Sequence, residues 1–472
     1  MPNNLSFWKR NYRNVGKICR LVLSPLKYDN NLRASSYNKG MLDIRFIREN
    51  AELVQEKSKQ KGYDVDISKL LQLDEQRRQL MSDIEIVRAE RNKLAEAAKG
   101  QAPSAEAIEH GKHLKQHLAD CEARLKPIEE QLGKLLKTVP NMPLDDVPIG
   151  TSEAENVVGK EWGDKPQFDF EPKKHWEIAE SRGWLDQERA ARVAGSRFVY
   201  VKGDLVRLQF ALMQFGLDVL TNEETLKKII QQFDLKDISS KPFIPVLPPA
   251  VARTDVYEAT GRLNKQEQTY KLEDEDLWLN ASAEHTLAPM YLDEILDEAE
   301  LPIRYVGYTT AFRREAGTYG KDTEGMIRLH QFDKLEMESF NLPENSLNEH
   351  LFLIAIEEYL MQQLKLPYHI LNKCTADIGL PNARGVDLEA WFPGENKYRE
   401  THTADYIGDY QARGMNTRVR RQDGKLQVAH NNDATAFSQR PLLAIIENFQ
   451  DKDGKVTIPE VLQPYMHGQS TL

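Results

Sequence analysis

Cysteine is scarce in this chain of 472 residues: Cys19, Cys121 and Cys374 lie far apart and form no CxxC pair. That excludes a disulfide framework and suits a reducing compartment, so a cytoplasmic protein is expected. The eleven histidines build no His/Cys cluster with ligand spacing, and no zinc is expected. Long apolar runs are missing as well. Nothing approaches the roughly 18 uninterrupted apolar residues a membrane helix needs, so no membrane partner is expected. Excess positive charge is absent, and the formal net charge of -10 argues against coating nucleic acid non-specifically. It leaves room for one local basic surface. Also absent is a glycine-rich phosphate loop of either common type. If the chain binds a nucleotide, side chains rather than backbone amides must hold its phosphates.

What is present divides the chain into 1–40, 41–150 and 151–472. The first forty residues carry Lys9, Arg10, Arg13, Lys17, Arg20, Lys27, Arg33 and Lys39 against one acid, Asp29. Three readings stay open: a targeting segment, a disordered arm that tracks RNA phosphates, or an upstream start without structural role. The last is favoured because Met41 opens MLDIRFIREN, which itself resembles a natural N-terminus.

Leu73, Arg77, Leu80, Ile84, Val87, Arg91 and Leu94 follow alternating steps of four and three, a heptad seam. Leu114, Leu118, Cys121, Leu125, Ile128, Leu132 and Leu135 repeat it. Between them Gly100 and Pro103 stop one helix, and Ser104 can cap the next. The spacing predicts an antiparallel coiled-coil arm. Taken alone, such a segment favours a dimerisation coiled coil, but a hairpin satisfies its own seam and needs no second chain. Near its turn Lys93, Lys99, Lys112 and Lys115, with His110, His113 and His117, outnumber the acids and give a tip suited to a polyanion. The proline-rich TVPNMPLDDVPIG (138–150) then marks a domain boundary.

Beyond it, strand-like runs at 197–201, 277–280 and 387–392 alternate irregularly with helical stretches at 205–220, 344–364 and 440–448. That pattern predicts an α+β domain on an antiparallel sheet rather than a doubly wound one. Within it, TAFRREAGTYGKDTEGMIRLHQFDKLEME (310–338) sets Arg313, Arg314 and Glu315 before a loop and Arg328, His330, Phe332 and Glu336 after it. On two paired strands, alternate positions would face one cleft. Arginine forks suit phosphate oxygens, an aromatic face suits a base, and a carboxylate suits an ammonium. Without further context such a charged run reads as a surface hairpin.

Further context exists. FRxEAG followed by RxHQFxKxE resembles motif 2 of the seryl-tRNA synthetases, a class II family. The likeness continues in order through MLDIRFIREN, the arm, VLPPAV (246–251), NASAEHTL (280–287), VDLEAWFPGENKYRE (386–400), QRPLLAIIENFQ (439–450) and IPEVLQPYM (458–466). It covers residues 41–466. The resemblance implies a class II catalytic domain behind a tRNA-binding helical arm, assembled as a homodimer. It implies a ligase that activates L-serine with ATP and Mg²⁺ and charges tRNA(Ser), with tRNA(Sec) as a further acceptor.

By the same resemblance, Arg313 grips the α-phosphate, and Arg314 and Glu315 belong to the ATP site, Glu315 reading the adenine amino group. Arg328 reaches the phosphate tail, Phe332 stacks on adenine and Arg440 lies over the γ-phosphate. Glu336 holds the amino acid's ammonium, and Ser282, Ala283 and Glu284 stand at the serine pocket. Glu400 and Thr403 are the implied Mg²⁺ oxygens, flanked by Thr401 and His402. The Lys93, Lys99, Lys112 and Lys115 tip would meet tRNA. Two departures stand out. Where the family has two serines after the acid, this chain has Thr401, His402 and Thr403. Where it commonly reads LNGSGLAVGRT, this chain reads NNDATAFSQRP (431–441), which makes Asn432 and Thr435 the candidate serine-hydroxyl contacts. Two other classes compete: an amino acid ligase charging a carrier protein, disfavoured by the arm, and a non-catalytic RNA-binding paralogue, disfavoured by the retained arginines and carboxylates.

Overall fold

A computed structural model describes residues 41–97, 104–263, 268–315 and 325–472. The expectations for residues 1–40 and for Lys99 lie outside the described residues.

Two short helices, α1 (Ile44–Glu49) and α2 (Ala51–Gln60), precede two long ones, α3 (Ile67–Ala97) and α4 (Ala105–Leu136). At about 1.5 Å per residue the long pair forms an arm of roughly 45 Å. Ser104 caps α4, its Oγ accepting from the Ala107 N–H at 3.1 Å. The heptad seam divides into two clusters. Ile84, Val87, Leu114, Leu118 and Cys121 fill the outer one. Leu70, Leu73, Leu132 and Leu136 join Ile44, Ile47 and Val54 in the inner one. Arg77, on the seam, lies 3.6 Å from buried Asp74, which Arg48 of α1 also engages at 2.9 Å. The hairpin is therefore self-contained only in its outer half; its base shares a core with α1 and α2.

Lys61, 4% exposed, joins this domain to the rest. Its Nζ donates to the carbonyls of Asn141 (3.1 Å), Gly379 (2.9 Å), Leu380 (3.3 Å) and Asn382 (2.7 Å). Asn141 Nδ2 donates to the Pro381 and Ile407 carbonyls, and the Tyr410 hydroxyl to the Val139 carbonyl at 2.6 Å. Burying these polar groups is tolerable because each finds a partner.

The second domain is built on an eight-stranded sheet: β1 (Val157–Trp162), β2 (Ile244–Val246), β3 (Ile303–Phe312), β4 (Gln331–Asn341), β5 (Tyr368–Asn372), β6 (Arg384–Phe392), β7 (Lys397–Gly408) and β8 (His430–Ser438). The spatial order is β1-β5-β6-β7-β8-β4-β3-β2, antiparallel except for the edge pair β2–β3. Helices α5 (His175–Ser181), α6 (Asp204–Leu220), α7 (Ser346–Gln363) and α8 (Arg440–Asn448) supply much of the apolar core against it. Leu208, Phe215, Phe352, Ile356 and Leu443 meet Met337, Ala434 and Phe437 there. The helices expected at 205–220, 344–364 and 440–448 are present with ends shifted by two residues at most. The strand expected over 197–201 is reduced to Tyr200–Val201, because Arg197 sits at φ +60° and cannot start an extended run.

His350 on α7 is 0% exposed, and among the described residues neither ring nitrogen has a hydrogen-bond partner. Burial pushes the imidazole down to about 3, so it folds neutral. Between pH 6.5 and 3 the unfolded chain takes up a proton that the native chain refuses, so stability falls as pH falls. His350→Phe keeps an aromatic ring beside Tyr406, 5.9 Å away. Urea unfolding across pH 6.5 to 4 should show a slope shallower by up to about 1.4 kcal/mol per pH unit in that variant. An unchanged slope would mean that the native imidazole is protonated.

Candidate active site

The open face of the central strands carries a cleft of about 300 Å³. Antiparallel pairing of β3 and β4 sets Ala311 opposite Phe332 and Gly307 opposite Glu336, so Phe332, Lys334, Glu336 and Glu338 share one face of β4. Two irregularities decide what β7 and β8 contribute. In the β6–β7 ladder Leu388 pairs with His402 but Glu389 with Glu400, so Thr401 is an extra residue. Such a bulge shifts the alternation by one. Glu400 and Thr403 thereby look into the cleft, while His402 turns to the other face against Phe437, 5.8 Å between ring centroids. A second bulge on β8 lies between Thr435 and Phe437.

The mouth is cationic. Arg313, Arg328 and Arg440 line it with Glu315, Phe332 and Glu400. The Arg313 guanidinium lies 5.2 Å from the Phe332 ring centroid, and its Nε donates to the Ala281 carbonyl at 3.0 Å. Arg328 donates to Glu315 at 2.6 Å, with Glu315 held at φ +50°. Arg440 pairs with the Glu400 carboxylate at 3.0 Å. Burial alone would raise Glu400, but Arg440 and Lys373 bring it down to about 2. The Thr403 hydroxyl lies 3.3 Å from the Glu400 carboxylate and donates to Asp387 at 2.7 Å.

The floor is anionic. Asp405, Asp433 and Glu338 stand opposite one another on β7, β8 and β4. Like charges in direct register repel. Burial and this crowding push Asp433 up to about 7 and raise Glu338 and Asp405. Arg262 contacts Asp433, and Asn431 donates to Glu338 at 3.0 Å. One row nearer the mouth, Glu336 faces Thr435 across the β4–β8 pair. Lys334 lies 2.6 Å from Glu336 and donates to the Ser282 hydroxyl at 2.9 Å. Burial nonetheless raises Glu336 to about 8, whereas Lys334 and His285 hold neighbouring Glu284 below the usual carboxylate range against the same burial.

Of the residues singled out in the sequence, Arg313, Glu315, Arg328, Phe332, Glu284, Glu336, Glu400, Thr401, Thr403, Thr435 and Arg440 come together here. Six do not line the cleft, among them His330, whose backbone carbonyl accepts from the Arg313 N–H at 2.9 Å. Arg314 is exposed, with its guanidinium 6.0 Å from the Tyr270 ring centroid, because its neighbour Arg313 takes the inward position. His402 is buried behind the sheet, burial pushing it down to about 3. Asn432 faces away from the floor. Its amide donates to the Ser346 carbonyl at 2.9 Å and accepts from the Ile407 N–H at 3.1 Å, which corrects the expectation that it meets the serine hydroxyl. Ser282 stands behind Lys334, and Ala283 packs at Gly307, where an added Cβ would sit 3.4 Å from its own. On the arm Lys93, Lys112 and Lys115 are exposed, Lys112 pairing with Glu109 at 3.2 Å.

Sequence reasoning missed Arg262, Lys334, Lys373, Asp405, Asp433 and Gln439, all in the cleft wall. Lys334 was findable by alternation with Phe332 and Glu336. Asp433 was findable by alternation with Thr435, whereas Arg262 and Lys373 come from loop and strand ends that carry no local signal.

Comparison with known proteins bears on this arrangement. The family model described as the tRNA synthetase class II core domain (G, H, P, S and T) matches residues 269–449. That of the seryl-tRNA synthetase N-terminal domain matches residues 41–143. The serine–tRNA ligase of Geotalea uraniireducens is 39% identical over 434 residues, 91% of this chain and 99% of the relative. That of Thermodesulfovibrio yellowstonii is 39% identical over 436 residues, 90% of this chain and 99% of the relative. Among solved structures, seryl-tRNA synthetase from Pyrococcus horikoshii complexed with ATP superposes with a TM-score of 0.81 at 35% identity, covering 91% of this chain and 99% of that one. The cytoplasmic serine–tRNA ligase from Naegleria fowleri in complex with AMP gives a TM-score of 0.77 at 28% identity, covering 91% and 98%. With both family models matched and relatives 39% identical along nine tenths of its length, the chain belongs to the seryl-tRNA synthetase family.

Proposed function

We infer that this chain is a serine–tRNA ligase: it activates L-serine with ATP to seryl-adenylate and transfers the seryl group to the 3′ end of tRNA(Ser). The observation that carries this reading is the polarity of the cleft, arginines at the mouth and crowded carboxylates at the floor. A triphosphate suits the first and an ammonium the second. Glu336, raised by burial, would regain its charge beside the α-ammonium of serine, and Thr435 across the strand pair is the hydroxyl partner we assign. Lining the mouth, Phe332 offers its ring to adenine and Glu315 its carboxylate to the amino group.

Serine's carboxylate then attacks the α-phosphorus and pyrophosphate leaves, after which the terminal ribose hydroxyl of tRNA attacks the activated carbonyl, giving up its proton, and AMP leaves. Neither step needs a covalent protein nucleophile. Arg313 and Arg440 meet the charge that shifts onto phosphate oxygens, a preorganised contribution rather than a chemical one. The oxygens of Glu400 and Thr403 fit a hard cation, with Glu400 kept ionised, so these residues would hold Mg²⁺. What a bound ion supplies there is neutralisation of the β- and γ-phosphates. We assign residues 151–472 to this chemistry and 41–150 to tRNA. The reducing compartment that buried free Cys121 and Cys374 suit supports a cytoplasmic site.

Arg313→Ala should slow serine-dependent pyrophosphate exchange by roughly 10²–10³, as loss of one preorganised donor does. Near wild-type exchange would remove Arg313 from this role.

The arm separates the ligase from a carrier-protein ligase. Replacing residues 84–121 with a short linker removes the outer cluster and leaves the inner one. Exchange should persist while charging of tRNA(Ser) falls at least tenfold, with a salt-sensitive share owed to the tip lysines. Charging at the full rate would refute the tRNA role, and the same assay with tRNA(Sec) tests that acceptor.

A homodimer is supported by Phe210 on α6, Ile244 on the edge strand β2 and Leu247 just after it, which are 59%, 49% and 82% exposed. The rest of the α6 apolar face is occupied within the chain's own core. Light scattering at micromolar concentration should give twice the chain mass; a fully active monomer would contradict it.

A further inference from the structure

Besides its pair with Glu315, Arg328 is placed by the three residues before it, whose backbone is gripped by Gln439 and Arg440 of the cleft wall and by Gln187 and His175 from outside it. The Gly325 carbonyl accepts from Gln187 Nε2 at 2.8 Å, and the Met326 carbonyl from Gln439 Nε2 at 2.8 Å. The Ile327 carbonyl accepts from Arg440 Nε at 3.4 Å. The Met326 N–H points at His175 Nε2 across 3.5 Å. The imidazole rests directly on the chain: a Cβ on Gly325, at φ +70°, would lie 2.4 Å from Nε2. Only glycine allows that approach.

His175 is 1% exposed on the first turn of α5 and is itself oriented. Its Nδ1 lies 2.7 Å from Glu447 Oε1, and its backbone N–H donates to the same oxygen at 2.9 Å. Glu447 Oε2 accepts from the Gly394 N–H at 3.0 Å. With Nδ1–H facing the carboxylate, Nε2 is left as the acceptor, the tautomer that a backbone N–H requires. Glu447 lies on α8, the helix whose N-terminus presents Gln439 and Arg440. One helix thus reaches residues 325–327 twice, directly from its first turn and through His175 from its last.

A cation is the competing use, since donor atoms of His175, Glu395 and Glu447 lie within 4.8 Å of one another. Their lone pairs are engaged, however. Glu395 pairs with Arg399 and with Lys397 at 2.8 Å, and both Glu447 oxygens serve backbone N–H groups.

We propose that His175, oriented by Glu447, is a positioning residue for nucleotide binding: it clamps Gly325–Met326 so that Arg328 projects into the cleft opposite Arg313. The proposal rests on the reading of the cleft as an ATP site and adds a residue that touches no substrate. Calorimetric ATP titration of the full chain tests it through a cycle of His175→Ala, Arg328→Ala and the double variant. His175→Ala should weaken ATP binding roughly tenfold, and adding it to Arg328→Ala should weaken binding no further. Combined with Arg313→Ala, just beyond the end of β3, the two losses should multiply. A lesion that merely loosened the fold would multiply with both arginines, and that result overturns the proposal. So does unchanged ATP affinity in His175→Ala. If the alanine variant does not fold, Gln187→Ala and His175→Gln enter the same cycle, with the same two outcomes decisive. A wild-type chain that binds ATP but gives no exchange with serine would sink the serine reading and leave this cycle to decide. A chain that binds no ATP overturns both.

Discussion

Three carboxylates in direct register on adjacent strands are the constraint around which the catalytic domain is arranged. Asp405, Asp433 and Glu338 cannot all be ionised at that spacing without help, and the domain supplies help unevenly. Arg262 contacts one of them, Asn431 donates to another, and Lys373 acts on Asp405 from the end of β5. The remaining deficit is carried as raised carboxyl pKa values. A sheet built for stability alone would place apolar residues there. A charge conflict retained in a buried floor is a mark of a ligand that completes it. The arginines at the mouth are the mirror image, cations whose own acids, Glu315 and Glu400, answer them only in part.

How the floor meets the mouth depends on strand phase, and phase is where sequence reading reached its limit. Alternation carried Phe332 and Glu336 to one face correctly, since β4 is regular there. On β7 and β8 one extra residue in each ladder changes every subsequent assignment. That is why His402, written between two cleft residues, ends behind the sheet; Asn432, three residues before Thr435 on a regular stretch of β8, faces away by plain alternation. Nothing in THT or NNDATAF announces a bulge; it arises from how neighbouring strands pair. Arg314 failed for the opposite reason, since simple alternation with Arg313 already predicted that it would face outward.

The arm shows the complementary case. Its helices, seam and Ser104 cap were legible because local spacing and capping suffice to specify them. The division of the seam into an outer cluster and a shared inner one was not, since it depends on α1 and α2 folding back onto the base. The same holds for Lys61, an unremarked lysine in a run of charged residues that proves to be buried across a domain boundary.

Every acceptor of the Lys61 ammonium is a main-chain carbonyl. Any amino acid at positions 379, 380, 382 or 141 brings the same oxygen, provided the loop keeps its path. This one contact is therefore specified by side-chain identity from one side only. Sequence drift at those positions leaves the contact intact, whereas position 61 needs a long side chain that ends in several N–H donors. Recombining the arm of one such protein with the catalytic domain of another is then limited less by the Lys61 acceptors than by the side chains that also cross the joint, Asn141, Tyr410 and the Arg413–Asp43 and Lys137–Glu258 pairs.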